Sequence, residues 1–137
     1  MRDGPDDGLG PERGVAAKKH VRQTRLHRDL VDDRHVPLRI ERNAGIAIRK
    51  NPQDYTEAEW HRVMDTNMTS AFLMSQLAYP HMAKVGGGKV INIGSVMSLF
   101  GAPHAAPYAS SKGAIMQFTR ATAAAWAKGG SACNCVM

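Results

Sequence analysis

The sequence predicts an α/β fold built on a parallel sheet, because helical and strand-like stretches alternate from residue 43 onward. Two stretches carry apolar side chains at helical spacing, and each is followed by glycines and then by a short run typical of a buried strand. The order helix, strand, helix, strand makes each helix a crossover between parallel neighbours. With 137 residues, 43% of them hydrophobic, the chain suits one globular domain.

The first helical stretch begins at a capping signal and runs to about Met82. Thr56 and Glu59 form the pattern T-x-x-E, which is typical of a capping box. Asn67 is a poor residue for a helix interior because its side chain competes for backbone hydrogen bonds, so we expect a kink or a function there. Pro80 is poorly tolerated near the end. The predicted stripe comprises Trp60, Val63, Met64, Ala71, Phe72, Ser75 and Ala78.

The second helical stretch lies between two predicted strands. "VINIGS" (residues 90–95) is rich in β-branched residues and reads as a buried strand. A helix then runs from about Ala106 or Tyr108 to Lys128, and "CNCVM" (residues 133–137) reads as the last strand. One side of this helix carries Ile115, Phe118, Thr119, Thr122 and Trp126.

The start of the chain differs in composition from residues 43–137, which contain all of the aromatic side chains. Residues 1–41 contain no Phe, Trp or Tyr and show no sustained period of a helix or a strand. "HVPLRI" (residues 35–40) is the one plausible strand. Because Pro37 has no backbone N–H to donate, it predicts an edge strand or a poor strand. We therefore predict an irregular or disordered arm over residues 1–42 and a folded domain over residues 43–137.

Composition and charge favour a basic surface without a particular partner over a site for nucleic acid or a phosphate-bearing small molecule. No apolar run reaches the roughly 18 residues of a membrane helix, and "MRDGPDDGLG" has no secretory signal, so we expect a cytoplasmic protein with no membrane partner. The net charge of +6 comes from scattered basic residues without interleaved aromatics, so we expect no nucleic-acid partner. Nucleic-acid binding by the basic N-terminal arm is the alternative.

The two cysteines, Cys133 and Cys135, are too close in sequence for an unstrained disulfide. Two ligands do not make a zinc site. We expect two free, buried thiols and no metal.

Tyr108 and Lys112 are the first candidate site residues. At i and i+4 of a helix the two side chains share one face, roughly 5–6 Å apart at Cβ. Two unit charges about 5 Å apart interact by roughly 3 kcal/mol at an effective dielectric constant of about 20. The ammonium therefore favours the phenolate and readies the tyrosine to donate or accept a proton. Such a pair also occurs by chance, so it needs support from other residues.

Three further signals precede this pair. Ser95 ends a predicted strand, at the edge where parallel sheets bind ligands, and a hydroxyl there can donate to a substrate oxygen. The small residues of "NAGI" (43–46) allow a ligand to approach the backbone closely. Asn67 marks the first helix. Taken singly, these features also read as a loop cap, a turn and a kink.

Together, in the order N-A-G, N, S and Y-x-x-x-K, these residues resemble the short-chain dehydrogenase/reductase family over about residues 43–137. The resemblance implies a partial Rossmann-type fold, a doubly wound parallel sheet in three α/β/α layers. It implies an oxidoreductase that moves hydride between NAD or NADP and an alcohol or ketone, with sugar and 3-oxoacyl compounds as candidate substrates. It also implies a homodimer or homotetramer that pairs through helices 68–83 and 108–127.

The resemblance assigns a role to each matching position. Tyr108 resembles the general acid/base, and Lys112 resembles the residue that promotes tyrosine ionisation and binds the nicotinamide ribose. Ser95 matches the serine that steadies the substrate oxygen, and Asn67 matches the asparagine that holds a water in the proton relay. The segment that lines the adenosine side of the cofactor is matched by Asn43, Ala44 and Gly45.

The resemblance does not extend to the start of the chain. Family members begin with a strand, a T-G-x-x-x-G-x-G turn and a helix, which present backbone N–H groups to the pyrophosphate. "GLGPERG" (residues 8–14) follows no strand-like run, and too few residues separate it from "NAGI" to hold two βα units. We therefore expect impaired turnover. The alternative is an inactive, truncated fragment that acts at most as a helix-pairing interaction module.

Residues 1–42 have two interpretations. The first is an out-of-frame translation joined to a family segment that ends before the substrate region of the family. The second is a divergent protein with a disordered arm rich in Arg and Asp. Arg39 and Glu41 fall in a strand that the family buries on both faces, where an unpaired charge is costly.

Overall fold

The computed structural model describes residues 38–42 and 44–137. Of the arm predicted over residues 1–42, residues 1–37 lie outside the described residues, as does Asn43. The described strands are β1 (Leu38–Arg42), β2 (Gly88–Ile93) and β3 (Ala132–Val136). The described helices are α1 (Glu57–Met64), α2 (Ser70–Lys84) and α3 (Ala106–Trp126), with a π-helical turn, Asp65–Thr69, between α1 and α2. The predicted alternation of helices and strands is confirmed.

The three strands form a parallel sheet in the order β1-β2-β3, so the predicted α/β class is confirmed. Leu38 pairs with Gly88, and Lys89 pairs with Ala132. Both crossovers advance in the same direction along the sheet, and right-handed crossovers then place all three helices on one face. The described residues therefore supply the sheet and one helical layer of the expected α/β/α arrangement.

The core lies between this helical layer and the sheet. Ala78 and Met82 of α2 pack against Val90 of β2 and Cys133 of β3. Around this cluster, the rings of Tyr79 and Trp126 stack with their centroids 4.4 Å apart, which joins α2 to the end of α3. The partly buried residues packed on the cluster are Leu38, Tyr79, Ala123 and Trp126.

The π-helical turn keeps the buried side of the first helical stretch in line. Val63, Asn67 and Ala71 are buried and are spaced by four residues. In an ideal helix of 3.6 residues per turn, each such step would rotate the side chain by about 40° away from the sheet. The wider turn at Asp65–Thr69 absorbs this drift. Trp60 and Phe72 of the predicted stripe lie beside this line and are 39% and 41% exposed.

Arg39 and Glu41 are not buried, which corrects the expected burial of these charges. Their side chains are 47% and 51% exposed, and they form an ion pair with each other. Because residues alternate along a strand, they lie on the face opposite to Leu38, which packs on the core. Lys89 of β2 is exposed on the same face, which the described residues leave open.

The predicted capping box at the start of α1 is confirmed. The Glu59 backbone N–H donates to Thr56 Oγ1 at 3.2 Å, and the Thr56 backbone N–H donates to the Glu59 carboxylate at 3.0 Å. Lys50 Nζ lies 2.7 Å from Glu59 Oε1 and donates to Oε2 at 2.9 Å. This carboxylate therefore joins the segment after β1 to the start of α1.

We expect acid to loosen this junction. The hydrogen bond from Lys50, followed by that from the Thr56 backbone, holds the pKa of Glu59 below its ordinary value of 4.5. The stabilisation is therefore complete above pH 4.5 and is lost as the pH falls through the lower folded-state pKa. Urea unfolding should show Glu59→Gln to be less stable than the wild type at pH 7, with a smaller difference at about pH 3. The exposed Glu57→Gln variant is the control, and a Glu59→Gln difference that persists in acid would refute the linkage.

Cys133 and Cys135 of β3 are free thiols, as expected. Cys133 is buried, and burial raises the pKa of its thiol. Cys135 is only half-buried, so the expected burial holds for one of the two. No helix in the described part of the chain combines the length and the apolar character needed to cross a membrane.

Candidate active site

The candidate site lies at the carboxyl edge of the sheet, where parallel α/β sheets bind ligands. Residues 44–50 follow β1 and residues 94–105 follow β2, so both segments start at this edge. The helix α3 begins beside them and carries Tyr108 and Lys112 in its first two turns. Ala44 and Gly45 are half-buried in the first segment.

Asn67 is fully buried in the π-helical turn, and its amide makes hydrogen bonds to the segment after β1 and to α3. Its Oδ1 accepts from the Ile46 backbone N–H at 2.8 Å, and its Nδ2 donates to the Ile46 carbonyl at 3.0 Å. Nδ2 also donates to Ser111 Oγ at 2.9 Å. The side chain therefore fixes the segment after β1 against α3, and the irregular turn that the sequence suggested at Asn67 is observed.

Lys112 is buried beneath this edge, with 5% of its surface exposed. A buried ammonium group needs polar partners, and Nζ donates to the Ile93 carbonyl at the end of β2, 2.7 Å away. A Cβ built on Gly45 would lie 3.8 Å from Lys112 Nζ and 3.7 Å from Asn67 Oδ1. The structure thus brings together three predicted site residues that come from three separate elements.

Tyr108 is half-buried on the first turn of α3. Lys112 Nζ lies 5.6 Å from the centroid of its ring, within the range of a cation–π contact. The two side chains therefore share one helix face, as their spacing predicts. This contact places a positive charge beside the phenol.

Ser95 is half-buried and begins the short turn Val96–Ser98. Its Oγ accepts from the Met97 backbone N–H at 3.2 Å, so the loop-cap reading of this serine is observed. Its own backbone N–H donates to Ser98 Oγ at 3.2 Å, and Ser98 Oγ donates to the Lys112 carbonyl at 2.9 Å. Through Ser98, the segment that holds Ser95 is fixed to the helix that carries Tyr108.

Ser111 joins two of the candidate site residues, although it belongs to none of the predicted motifs. It is fully buried between Asn67 and Tyr108. Its hydroxyl accepts from Asn67 Nδ2 and donates to the Tyr108 carbonyl at 2.7 Å. A signal existed in the sequence, because Ser111 lies four residues before Ile115 and eight before Thr119, all three on the buried side of α3.

The histidines show no metal-binding arrangement. Among residues 38–42 and 44–137, no three His, Cys, Asp or Glu side chains are grouped so that they could hold a metal ion. His104 is exposed in the loop before α3. His61 lies 3.4 Å from Glu57 on the surface of α1.

The parallel sheet and its helices define a protein of the α/β class, and the candidate site lies at the carboxyl ends of the strands, where ligands bind in such sheets. Residues 39–137 match the family described as short chain dehydrogenase, and the chain belongs to that family.

Two relatives of this chain have names that refer to gluconate derivatives. Over 108 residues the chain is 36% identical to 2-dehydro-3-deoxy-D-gluconate 5-dehydrogenase of Bacillus subtilis. This match covers 79% of this chain and 42% of the relative. Over 78 residues it is 45% identical to 5-keto-D-gluconate 5-reductase of Escherichia coli. This second match covers 57% of this chain and 31% of the relative.

A solved structure agrees with this relationship. Gluconate 5-dehydrogenase from Burkholderia cenocepacia, in complex with NADP and tartrate, superimposes with a TM-score of 0.67 at 39% identity. The match covers 68% of this chain and 36% of that one. The chain thus spans about two fifths or less of the length of these three relatives.

Proposed function

We propose that this chain carries the proton-transfer part of an NAD(P)-dependent oxidoreductase that interconverts an alcohol and a ketone. One observation supports this most strongly, the convergence of Gly45, Asn67 and Lys112 beside Tyr108 at the carboxyl edge of the sheet. Family membership supplies the reaction class. The bound dinucleotide would supply or accept the hydride.

Each proposed role rests on a group that the site holds in place. Tyr108 donates a proton to the carbonyl oxygen during reduction and removes it from the alcohol during oxidation. Lys112 holds its ammonium group beside the phenol, 5.6 Å from the ring centroid. Ser95 steadies the substrate oxygen with its hydroxyl hydrogen, since its oxygen already accepts from Met97. Asn67 fixes the segment that carries Gly45.

The residues present fit one end of a nicotinamide dinucleotide. The buried Lys112 ammonium and the Tyr108 phenol suit the hydroxyls of a ribose. Gly45 lacks a side chain beside them, which lets a ligand approach the backbone. We propose that Ala44 and Gly45 line the adenosine side. The pyrophosphate end is different, because no glycine-rich turn leads into α1, α2 or α3.

We therefore propose that cofactor binding and turnover are impaired in this chain. Each hydrogen bond from a backbone N–H to a charged phosphate contributes about 1.5–3 kcal/mol. Loss of two such bonds weakens binding by about 100-fold or more. Titration of NADPH and NADH fluorescence should show this weakening relative to the Bacillus subtilis relative, and equal affinities would disprove the impairment.

A keto sugar acid is the substrate class that the relatives favour. The two curated relatives and the solved structure described above are named for gluconate derivatives. We propose a ketone or alcohol of this class, with 3-oxoacyl compounds as the second choice. Initial rates of NADPH oxidation with 5-keto-D-gluconate and with a 3-oxoacyl thioester would rank the two classes.

We also propose a homodimer or homotetramer that pairs through residues 68–83 and 108–127. The exposed apolar side chains Leu73 and Leu77 of α2 support it, at 46% and 67% exposure. Phe72 adds 41% exposure and packs edge-to-face on Phe118 of α3, with the ring centroids 6.2 Å apart. Apolar area of this kind on neighbouring helices is typical of a protein interface.

Leu77→Lys should lower the mass measured by light scattering to that of a smaller species, because the charge would have to enter the apolar interface. Gln53→Lys introduces the same charge at an exposed residue outside both proposed pairing segments and is the control. Identical masses for both variants and the wild type would refute this interface.

The second candidate function is an inactive fragment that pairs through the same helices in the cytoplasm. The same exposed apolar residues of α2 favour it. An oligomer that binds neither NADPH nor NADH at millimolar concentration would support this role and exclude the oxidoreductase.

A further inference from the structure

Tyr55 lies between the turn Pro52–Asp54 and α1, and its hydroxyl meets backbone groups from two segments of the carboxyl edge. It accepts from the Lys50 backbone N–H at 3.1 Å and lies 2.7 Å from the Ile48 carbonyl oxygen. It also lies 3.1 Å from the carbonyl oxygen of His104, in the loop before α3. The segment after β1 and the loop after β2 therefore meet at one hydroxyl group.

From this junction we infer that Tyr55 is a positioning residue for the proposed site. His104 precedes Tyr108 by four residues, and the chain between them turns directly into α3. The Ala105 backbone N–H donates to the Ala102 carbonyl at 3.2 Å, and the Ala105 carbonyl accepts from the Ala109 N–H at 2.8 Å. A hydroxyl that holds the His104 carbonyl thereby holds the first turn of the helix that carries the phenol.

The Tyr55 hydroxyl can make this contact and release it. A tyrosine hydroxyl has one hydrogen, and here two carbonyl oxygens compete for it. The shorter distance is to Ile48, within the same segment, and the longer one is to His104, 49 residues away. The bond to His104 is therefore the weaker of the two, and the loop can separate while Tyr55 keeps its local partner.

The functional consequence depends on the proposed function, whereas the contact itself does not. When the loop is held, the first turn of α3 and Tyr108 keep their place beside the segment that contains Gly45. When the hydrogen bond from the Tyr55 hydroxyl to the His104 carbonyl is lost, the Tyr108 phenol is held less firmly, which lowers kcat without changing cofactor affinity. Because His104 takes part through its backbone carbonyl, replacement of its side chain leaves the tie in place.

Amide hydrogen exchange followed by NMR tests the tie without any need for activity. Tyr55→Phe keeps the ring and removes the hydroxyl. Loss of one hydrogen bond should speed exchange of the Lys50, Ala105 and Ala109 amides by about three- to tenfold. Tyr79→Phe makes the same change in the Tyr79–Trp126 stack and should leave these amides unaffected. Unchanged exchange in Tyr55→Phe, or faster exchange throughout α3, would overturn the inference.

Steady-state kinetics separate this inference from the proposed function. If the wild type reduces a keto sugar acid, Tyr55→Phe should lower kcat about three- to tenfold and leave the NADPH dissociation constant unchanged. A rise in KM alone, with kcat unchanged, would overturn the positioning role. If the wild type shows no turnover, the proposed function fails, and the exchange experiment alone decides whether Tyr55 ties the two segments.

Discussion

Tyr108→Phe is expected to lower kcat for carbonyl reduction by about 100- to 10,000-fold, the usual contribution of a positioned general acid. The substitution removes only the phenolic oxygen and keeps the ring beside Lys112, so the helix and its contacts should persist. The NADPH dissociation constant should rise by about tenfold or less, because the phenol contributes only one hydrogen bond to the ribose. Stopped assays of ketone consumption at saturating NADPH measure the effect.

Ser110→Ala is the matched control for this experiment, because Ser110 lies on the same turn of α3 but is exposed. Its kcat should equal that of the wild type. A decrease of less than about tenfold for Tyr108→Phe would show that the phenol does not transfer the proton.

Gly87→Ala is expected to destabilise the fold by about 3 kcal/mol or more. Gly87 has a φ of +136°, and a Cβ at this position would collide with the backbone carbonyl of Gly130. Gly87 directly precedes β2, and Gly130 precedes β3 by two residues, so the two turns meet where neighbouring strands begin. Backbone cannot rotate away as a side chain can, so the strands would have to separate.

Gly86→Ala separates this collision from the cost of the backbone conformation. Gly86 also has a positive φ, +84°, but a Cβ there would meet nothing within 4 Å. Its substitution should cost only the strain of the left-handed region, about 1–2 kcal/mol. Urea unfolding followed by circular dichroism compares the two variants, and equal losses would contradict the close approach of the two turns.

Local signals in the sequence predicted much of the fold. The pattern T-x-x-E fixed the start of α1, because a capping box depends on residues three apart. The spacing of Tyr108 and Lys112 placed both on one face of α3. In each case the interacting residues belong to one element, so the geometry of that element alone decides the contact.

Contacts between distant residues were not predictable in the same way. The sequence indicates a kink or a function at Asn67, but the partners of this residue, Ile46 and Ser111, lie 21 and 44 residues away. The partners of Ser111 are not predictable, because a serine within an apolar helix face reveals no partner until the helices pack. Arg39 and Glu41 were expected in a strand buried on both faces, but the described residues cover only the face opposite to them.

Transfer of deuterium from NADPH labelled at C4 to a keto sugar acid tests most directly whether this chain supports hydride and proton transfer. At millimolar NADPH, we expect mass spectrometry to find deuterium on the carbinol carbon of the product with the wild type. In the same reaction time, Tyr108→Phe should transfer about one hundredth of that amount or less. The Bacillus subtilis relative is the positive control. No transfer by the wild type where the relative succeeds, or equal transfer by Tyr108→Phe, would contradict the proposed site.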